Sequence, residues 1–232
     1  MLIPKTIIQT FSNKNNITLE IKEAINSWKT KNKDWEYKIF YDIDCKEFLI
    51  NNFNEDVLKA FNIIKPGAGK ADLFRYCYLY INGGVYTDID NICVKPLNYY
   101  IDASDEFIIP TGFFNKRILL ETCFIACIPK HKYIKTAIDL CVYNVLNRFK
   151  PKEYLPLLKL TGPKLFSRSV NICENKPIDS EFNQNEFKLK FRKVDMLKNF
   201  RVIKNQKNEV LTKCGYEGYE PKNHWTKLEI YN

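Results

Sequence analysis

Gly83 and Gly84 form the chain's one adjacent glycine pair, and their flanks leave few folds open. Before them, Ala71, Phe74, Cys77, Tyr78 and Ile81 recur at helical spacing, which predicts a helix over Lys70–Ile81 that Asn82 and the glycines stop. After them a short apolar strand, Val85–Thr87, runs into Asp88-Ile89-Asp90. An apolar helix that turns back within two residues into a buried strand has to pack against the sheet it enters. That requirement points to an α/β layer fold.

The rest of the chain agrees. Thr6–Phe11 is β-branched and apolar and reads as a first strand. Thr18 offers an N-cap to a helix carrying Ile21, Ala24, Ile25 and Trp28 on one face, and Tyr37–Asp42 reads as a second strand. Strand, helix and strand within some forty residues suggest a parallel crossover unit. Helical segments follow near Cys45–Asn51 and Asp56–Asn62, and Lys65–Gly69 is a turn. Further strands are expected at Ile92–Val94, Phe107–Ile109, Thr122–Ile128 and Phe187–Val194, with helices near Tyr133–Phe149 and Pro163–Cys173. With no internal repeat or low-complexity linker, 232 residues read as a single domain around one mixed sheet flanked by helices.

Asp88 and Asp90 carry the chemistry. On period-two alternation they face one side and Ile89 the other, at a strand end where α/β sheets bind ligands. Two carboxylates on one side repel each other and favour a hard cation such as Mn²⁺ or Mg²⁺. Asp-Ile-Asp also occurs at Asp42–Asp44, where it opens a helix and its acids serve as caps. The first copy is therefore read as structural and the second as functional. Asp72 and Arg75 share a face of an otherwise apolar helix. There the arginine keeps the carboxylate ionised and oriented toward a site, whereas on a surface the pair would contribute under about 1 kcal/mol. No residue stands out as a covalent nucleophile or dedicated general base, and of the acids that could approach an acceptor, Asp105, Glu106 and Glu121, the sequence places none.

A net charge of +9 suits nucleic acid, an anionic membrane surface or a negatively charged small substrate. No five consecutive bases occur, and no nucleic-acid recognition motif accompanies the charge, so nucleic acid is not the expected partner. The eight cysteines sit singly in apolar stretches without zinc spacing, and they are expected as reduced, non-catalytic thiols. The opening MLIPKTIIQTF does not read as a signal peptide, and no stretch reaches the roughly 20 apolar residues of a spanning helix. A cytoplasmic setting is expected, with room for peripheral membrane association.

Lys70–Leu97, KADLFRYCYLYINGGVYTDIDNICVKPL, resembles the core signature of the DXD-containing glycosyltransferases of family 32, relatives of the mannosyltransferases and of the glucosylating toxins' catalytic domains. In that signature Ala-Asp-x-x-Arg precedes an apolar helix and Gly-Gly-x-Tyr-x-Asp-x-Asp. Weaker echoes lie at IPKTIIQTF, at SWKTKNKDWEYKIFYD, at Thr161-Gly162-Pro163 and at His224-Trp225. Where the family opening commonly reads His-Gln-Ile-Trp, this chain has Ile8, Gln9, Thr10 and Phe11.

The resemblance implies a GT-A fold with a Rossmann-like mixed sheet, and a UDP- or GDP-linked sugar donor. It also implies a divalent metal, and retaining transfer to a glycan, protein or other hydroxyl acceptor. It assigns Asp72, Arg75, Asp88 and Asp90 to catalysis and Asp88, Asp90 and His224 to the metal. Gln9, Thr10, Phe11, Asp72, Arg75, Tyr86, Asp88, His224 and Trp225 go to the donor. Residues 1–97 would hold nucleotide sugar and metal, and 98–232 the acceptor part and C-terminal closure. A metal-dependent phosphoesterase or nucleotide-sugar hydrolase, and a basic nucleic-acid-binding module, are the alternatives.

Overall fold

The computed structural model describes residues 1–114, 117–152, 155–182, 192–197, 200–204, 209–214 and 229–231. The first half runs β1 (Thr6–Phe11), α1 (Leu19–Lys31), β2 (Glu36–Tyr41), α2 (Asp42–Asn52), α3 (Glu55–Ile63), α4 (Gly67–Asn82), β3 (Gly84–Thr87) and β4 (Asn91–Cys93). The second half runs β5 (Phe107–Ile108), β6 (Pro110–Phe114), β7 (Arg117–Leu120), β8 (Phe124–Cys127), α5 (Lys132–Leu146), α6 (Pro156–Leu160), α7 (Pro163–Cys173), β9 (Arg192–Leu197), β10 (Phe200–Lys204) and β11 (Val210–Cys214).

The main sheet has the order β2-β1-β3-β8-β5. β1 pairs in parallel with both β2 and β3, while β8 joins β3 and β5 in antiparallel fashion. The crossover through α1 is present, and the Thr18 hydroxyl caps that helix by accepting from Ile21 N. Because β1 lies between strands reached in opposite directions, its carboxyl end is the switch point at which such sheets open a crevice.

Alternation along the strands divides the core in two. Ile7, Val85, Phe124 and Ala126 face one cluster with Trp28, and Ile8, Tyr86, Ile125 and Cys127 face the other with Phe74, Cys77 and Phe166. At the helix-to-strand reversal, Gly83 (φ 64°) and Gly84 (φ 98°) adopt left-handed backbone. A Cβ on Gly83 would lie 2.8 Å from the Cys127 carbonyl oxygen, and one on Gly84 would lie 2.7 Å from that of Thr6. The pair therefore serves both the turn and the approach of α4 to the sheet.

One feature was not expected and one expectation needs correction. A second, six-stranded sheet of order β4-β11-β10-β9-β6-β7 accompanies the main one. Its strand β6 carries Pro110 and Gly112, residues that argue against a strand, and β6 pairs antiparallel with β7. The expected strand Phe187–Val194 meets β9 only from Arg192, and Phe187–Phe191 lie outside the described residues. Secondly, Asp88-Ile89-Asp90 follow the strand as expected, but period-two alternation does not carry through them. Asn91 N donates to the Asp88 carbonyl at 3.0 Å, so the acids lie in a turn between β3 and β4, and their grouping comes from that turn rather than from alternation.

Candidate active site

The turn is held at both ends. Asp88 N donates to Cys123 O at 3.0 Å, the Asn91 amide donates to Thr87 Oγ1 and Cys123 O at 2.9 Å each, and Trp28 Nε1 donates to Asn91 O at 2.7 Å. Gln9 is fully buried. Its Nε2 donates to the Asp88 carbonyl at 2.8 Å, and its Oε1 accepts from the Tyr37 hydroxyl. With both ends of the amide used internally, Gln9 supports the turn from beneath.

On the opposite face of the sheet, α4 brings in Asp72 and Arg75. Their i,i+3 spacing puts them on one side of the helix, and their side chains are 8% and 5% exposed, so this is no surface pair. Arg75 is the hub. Its Nη2 lies 3.1 Å from Asp72 Oδ1 and 3.3 Å from Asp88 Oδ1, its Nη1 donates to the Thr122 carbonyl, and its Nε donates to Ala71 O at 3.2 Å. The guanidinium sits 4.1 Å from the centroid of the Tyr86 ring, in cation–π contact. Tyr86 then donates its hydroxyl to Asp88 Oδ1 at 2.8 Å, and that hydroxyl lies 3.5 Å from Thr10 Oγ1.

Burial decides the charge states here. It pushes the Asp72 carboxyl up to about 6 from an ordinary 3.8, against the opposing pull of Arg75 and of the Thr161 hydroxyl. At neutral pH Asp72 is thus still largely ionised. Burial alone would lower Arg75, but Tyr86, Asp72 and Asp88 outweigh it and hold the guanidinium above its usual value. Burial likewise raises the Tyr86 phenol well above its ordinary value, so it stays a hydrogen-bond donor.

Asp72, Arg75, Tyr86, Asp88 and Thr10 therefore form one connected network at the carboxyl ends of β1 and β3. Asp88 and Asp90 are half-buried, as are Thr10 and Phe11 at the end of β1. Among the described residues no three His, Cys, Asp or Glu side chains group closely enough to hold a metal ion. Two hard carboxylates nevertheless fit Mg²⁺ or Mn²⁺, which commonly take one or two from the protein and the remainder from phosphate oxygens and water. His224 and Trp225 lie outside the described residues.

Other acids have structural duties. Asp44 Oδ2 accepts from Tyr41 N at 2.8 Å at the start of α2, as expected of the first Asp-Ile-Asp copy. Asp105 Oδ2 accepts from Asp102 N at 2.8 Å, and the Glu121 side chain covers the space over Gly112. Two contributors escaped sequence reasoning. Thr122 accepts from Arg75 through its backbone carbonyl, which leaves no sequence signal, and its side chain helps hold the Asp72 carboxyl down. Thr161 was marked only as part of a family echo, yet its hydroxyl donates to Asp72 Oδ2 at 2.7 Å.

Residues 19–108 match the family described as glycosyltransferase sugar-binding region containing DXD motif. An initiation-specific alpha-1,6-mannosyltransferase of Candida albicans is 37% identical over 81 residues, covering 34% of this chain and 21% of that protein. An uncharacterised glycosyltransferase of Acanthamoeba polyphaga mimivirus is 41% identical over 159 residues, covering 62% of this chain and 57% of that protein. The chain thus spans less than two thirds of the length of these curated relatives. Among solved structures, the PaToxG glycosyltransferase superposes with a TM-score of 0.57 at 22% identity, covering 73% of this chain and 69% of that one. The catalytic domain of alpha-toxin from Clostridium novyi gives 0.52 at 10% identity, covering 80% and 76%. Both likenesses are of fold, and they agree with the α/β, GT-A-type architecture expected from the sequence. No helix among the described residues is long and apolar enough to cross a membrane.

Proposed function

We propose that this chain, whose residues 19–108 match the glycosyltransferase sugar-binding region containing DXD motif, transfers a hexose from a nucleoside-diphosphate sugar to a hydroxyl acceptor with retention of anomeric configuration. The observation that carries the reading is the Arg75 guanidinium, buried between Asp72 and Asp88 and stacked on Tyr86 beside the Asp88–Asp90 turn. A fixed cation flanked by carboxylates at a switch point suits a ligand that pairs a polyol with a diphosphate.

In this reading Asp88 and Asp90, with His224, hold Mn²⁺ or Mg²⁺. When bound, the ion supplies charge stabilisation for the departing nucleoside diphosphate. The chain's own groups do the rest. Asp72 and Arg75 orient the sugar, Tyr86 fixes the Asp88 carboxylate by its hydroxyl, and Gln9 fixes the same residue's backbone. Thr10 and Phe11 line the nucleoside end, and Trp225 closes over the donor. Orientation of this kind lowers the barrier by placing reacting atoms before the bond breaks. Residues 1–97 serve the donor and 98–232 the acceptor, a glycan or a protein, in a cytoplasmic setting where buried thiols such as those of Cys77, Cys127 and Cys141 stay reduced.

The test is incubation with Mn²⁺ and a panel of UDP- and GDP-sugars. Mannose donors come first, because curated relatives are named mannosyltransferases. Release of nucleoside diphosphate with the sugar moved to an acceptor or to water supports the reading. Cleavage of phosphodiesters without sugar transfer would favour the phosphoesterase alternative.

A further inference from the structure

We propose that Thr161 is a positioning residue that sets the orientation of the Asp72 carboxylate, an inference that rests on reading the Arg75 network as a donor site. Asp72 is held from its own helix and from a distant part of the chain, and the Thr122 side chain also helps hold its carboxyl down. Oδ1 faces Arg75 Nη2 at 3.1 Å on its own helix, and Oδ2 accepts from Thr161 Oγ1 at 2.7 Å across 89 positions of sequence. The terminal torsion of an aspartate is broad, so a single contact to an arginine leaves the plane of the carboxylate free to turn. A second, fixed donor on the other oxygen sets that plane.

Thr161 is fixed in its turn. It is fully buried, its carbonyl accepts from Tyr76 Oη at 2.8 Å, and its N–H donates to Leu157 O at 3.0 Å where α6 ends. Tyr76 is the neighbour of Arg75 in α4, so the helix that carries the pair also grips the residue that aligns it. Gly162 leaves the necessary room, since a Cβ there would stand 3.3 Å from Asp72 Oδ2. The donor wall is thereby completed from the C-terminal half of the chain. Loss of the Thr161 hydroxyl should spare the binding of nucleoside diphosphate and metal but let the carboxylate turn, which would slow the step that needs sugar orientation.

The experiment compares Thr161→Val, which removes the hydroxyl at constant shape, with Thr161→Ser, which keeps it. Expected is a loss of about tenfold or more in kcat for the valine variant, with donor KM and the Kd of nucleoside diphosphate with Mn²⁺ within about twofold of wild type. The serine variant should stay within about twofold in every constant. Wild-type kcat in the valine variant, or a serine variant as slow as it, overturns the proposal. If the valine variant does not fold, Thr161→Cys takes its place, with an intermediate kcat expected and wild-type kcat overturning.

A melting-temperature cycle of Thr161→Val, Asp72→Asn and the double variant reads the contact without turnover. Non-additivity supports it, and strict additivity overturns it even if transfer is intact. Non-additivity in a chain that turns over no nucleotide sugar leaves the positioning contact standing and removes the transferase reading instead.

Discussion

The chain writes Asp-Ile-Asp twice, and the two copies have different surroundings. At Asp42–Asp44 the triplet opens α2. Asp44 spends its carboxylate on the Tyr41 N–H, and Asp42 lies 3.9 Å from Lys70. At Asp88–Asp90 the triplet is a turn between two strands, held by Cys123, Asn91 and Gln9, with Arg75 and Tyr86 bonded to its first carboxylate. The same three residues thus cap a helix in one place and border a buried cation in the other. What separates them is what the neighbouring elements aim at them: a backbone N–H in the first case, a buried guanidinium in the second.

The largest effect that would break this contrast is on Asp90. Asp90→Ala should lower transfer below roughly a thousandth of wild type and abolish Mn²⁺-dependent donor binding, with the melting temperature near that of wild type. Near-normal turnover of the variant at low Mn²⁺ would return the second triplet to the status of the first. Arg75→Ala comes next. Its removal takes away the cation between Asp72 and Asp88, so kcat should fall by roughly 100-fold or more while nucleoside diphosphate and Mn²⁺ still bind. Because this site is buried, some stability should be lost too, and calorimetry separates that from the rate defect. A wild-type kcat would mean that the network is only architecture.

Asp72 sharpens the contrast through pH. Its folded pKa stands raised, at about 6 against 3.8. Between those values the folded chain keeps a proton that the unfolded chain has released, so this group's contribution to stability falls as pH rises through the window. Wild type should therefore lose about 2 kcal/mol relative to Asp72→Asn between about pH 4 and about pH 6 in urea unfolding. An unchanged difference across that range would mean that burial does not govern the carboxylate.

How much of this was legible depends on whether side chains or backbone carry the information. The parallel β1–α1–β2 unit, the glycine stop after α4 and the Asp72–Arg75 pair all express themselves in spacing, and spacing survives in a sequence. The second sheet did not, because β6 includes Pro110 and Gly112 and because β10 and β11 are short strands interrupted by Arg201 and Lys213, joined to β4 and β6 only through pairings far along the chain. Thr122 contributes a carbonyl, which every residue possesses, and Thr161 reaches Asp72 only once α6 and α7 have packed. The end of β3 at Thr87 was legible, but side-chain alternation was carried on through Asp88–Asp90, where the backbone has already turned.

The smallest effect belongs to the first triplet, and it tests the comparison from its other side. Asp44 makes one capping bond to Tyr41 N at 2.8 Å at the start of an eleven-residue helix. Loss of such a bond to a helix N-terminus costs about 0.5–2 kcal/mol. Asp44→Ala should therefore lower the unfolding free energy by about 0.5–2 kcal/mol and leave kcat, KM and metal dependence within about twofold of wild type. The same substitution at Asp90 should do the reverse, sparing stability and removing turnover. If Asp44→Ala folds stably and yet loses turnover, the roles of the two copies have been exchanged, because a lone cap has no route to the chemistry except through the fold it stabilises.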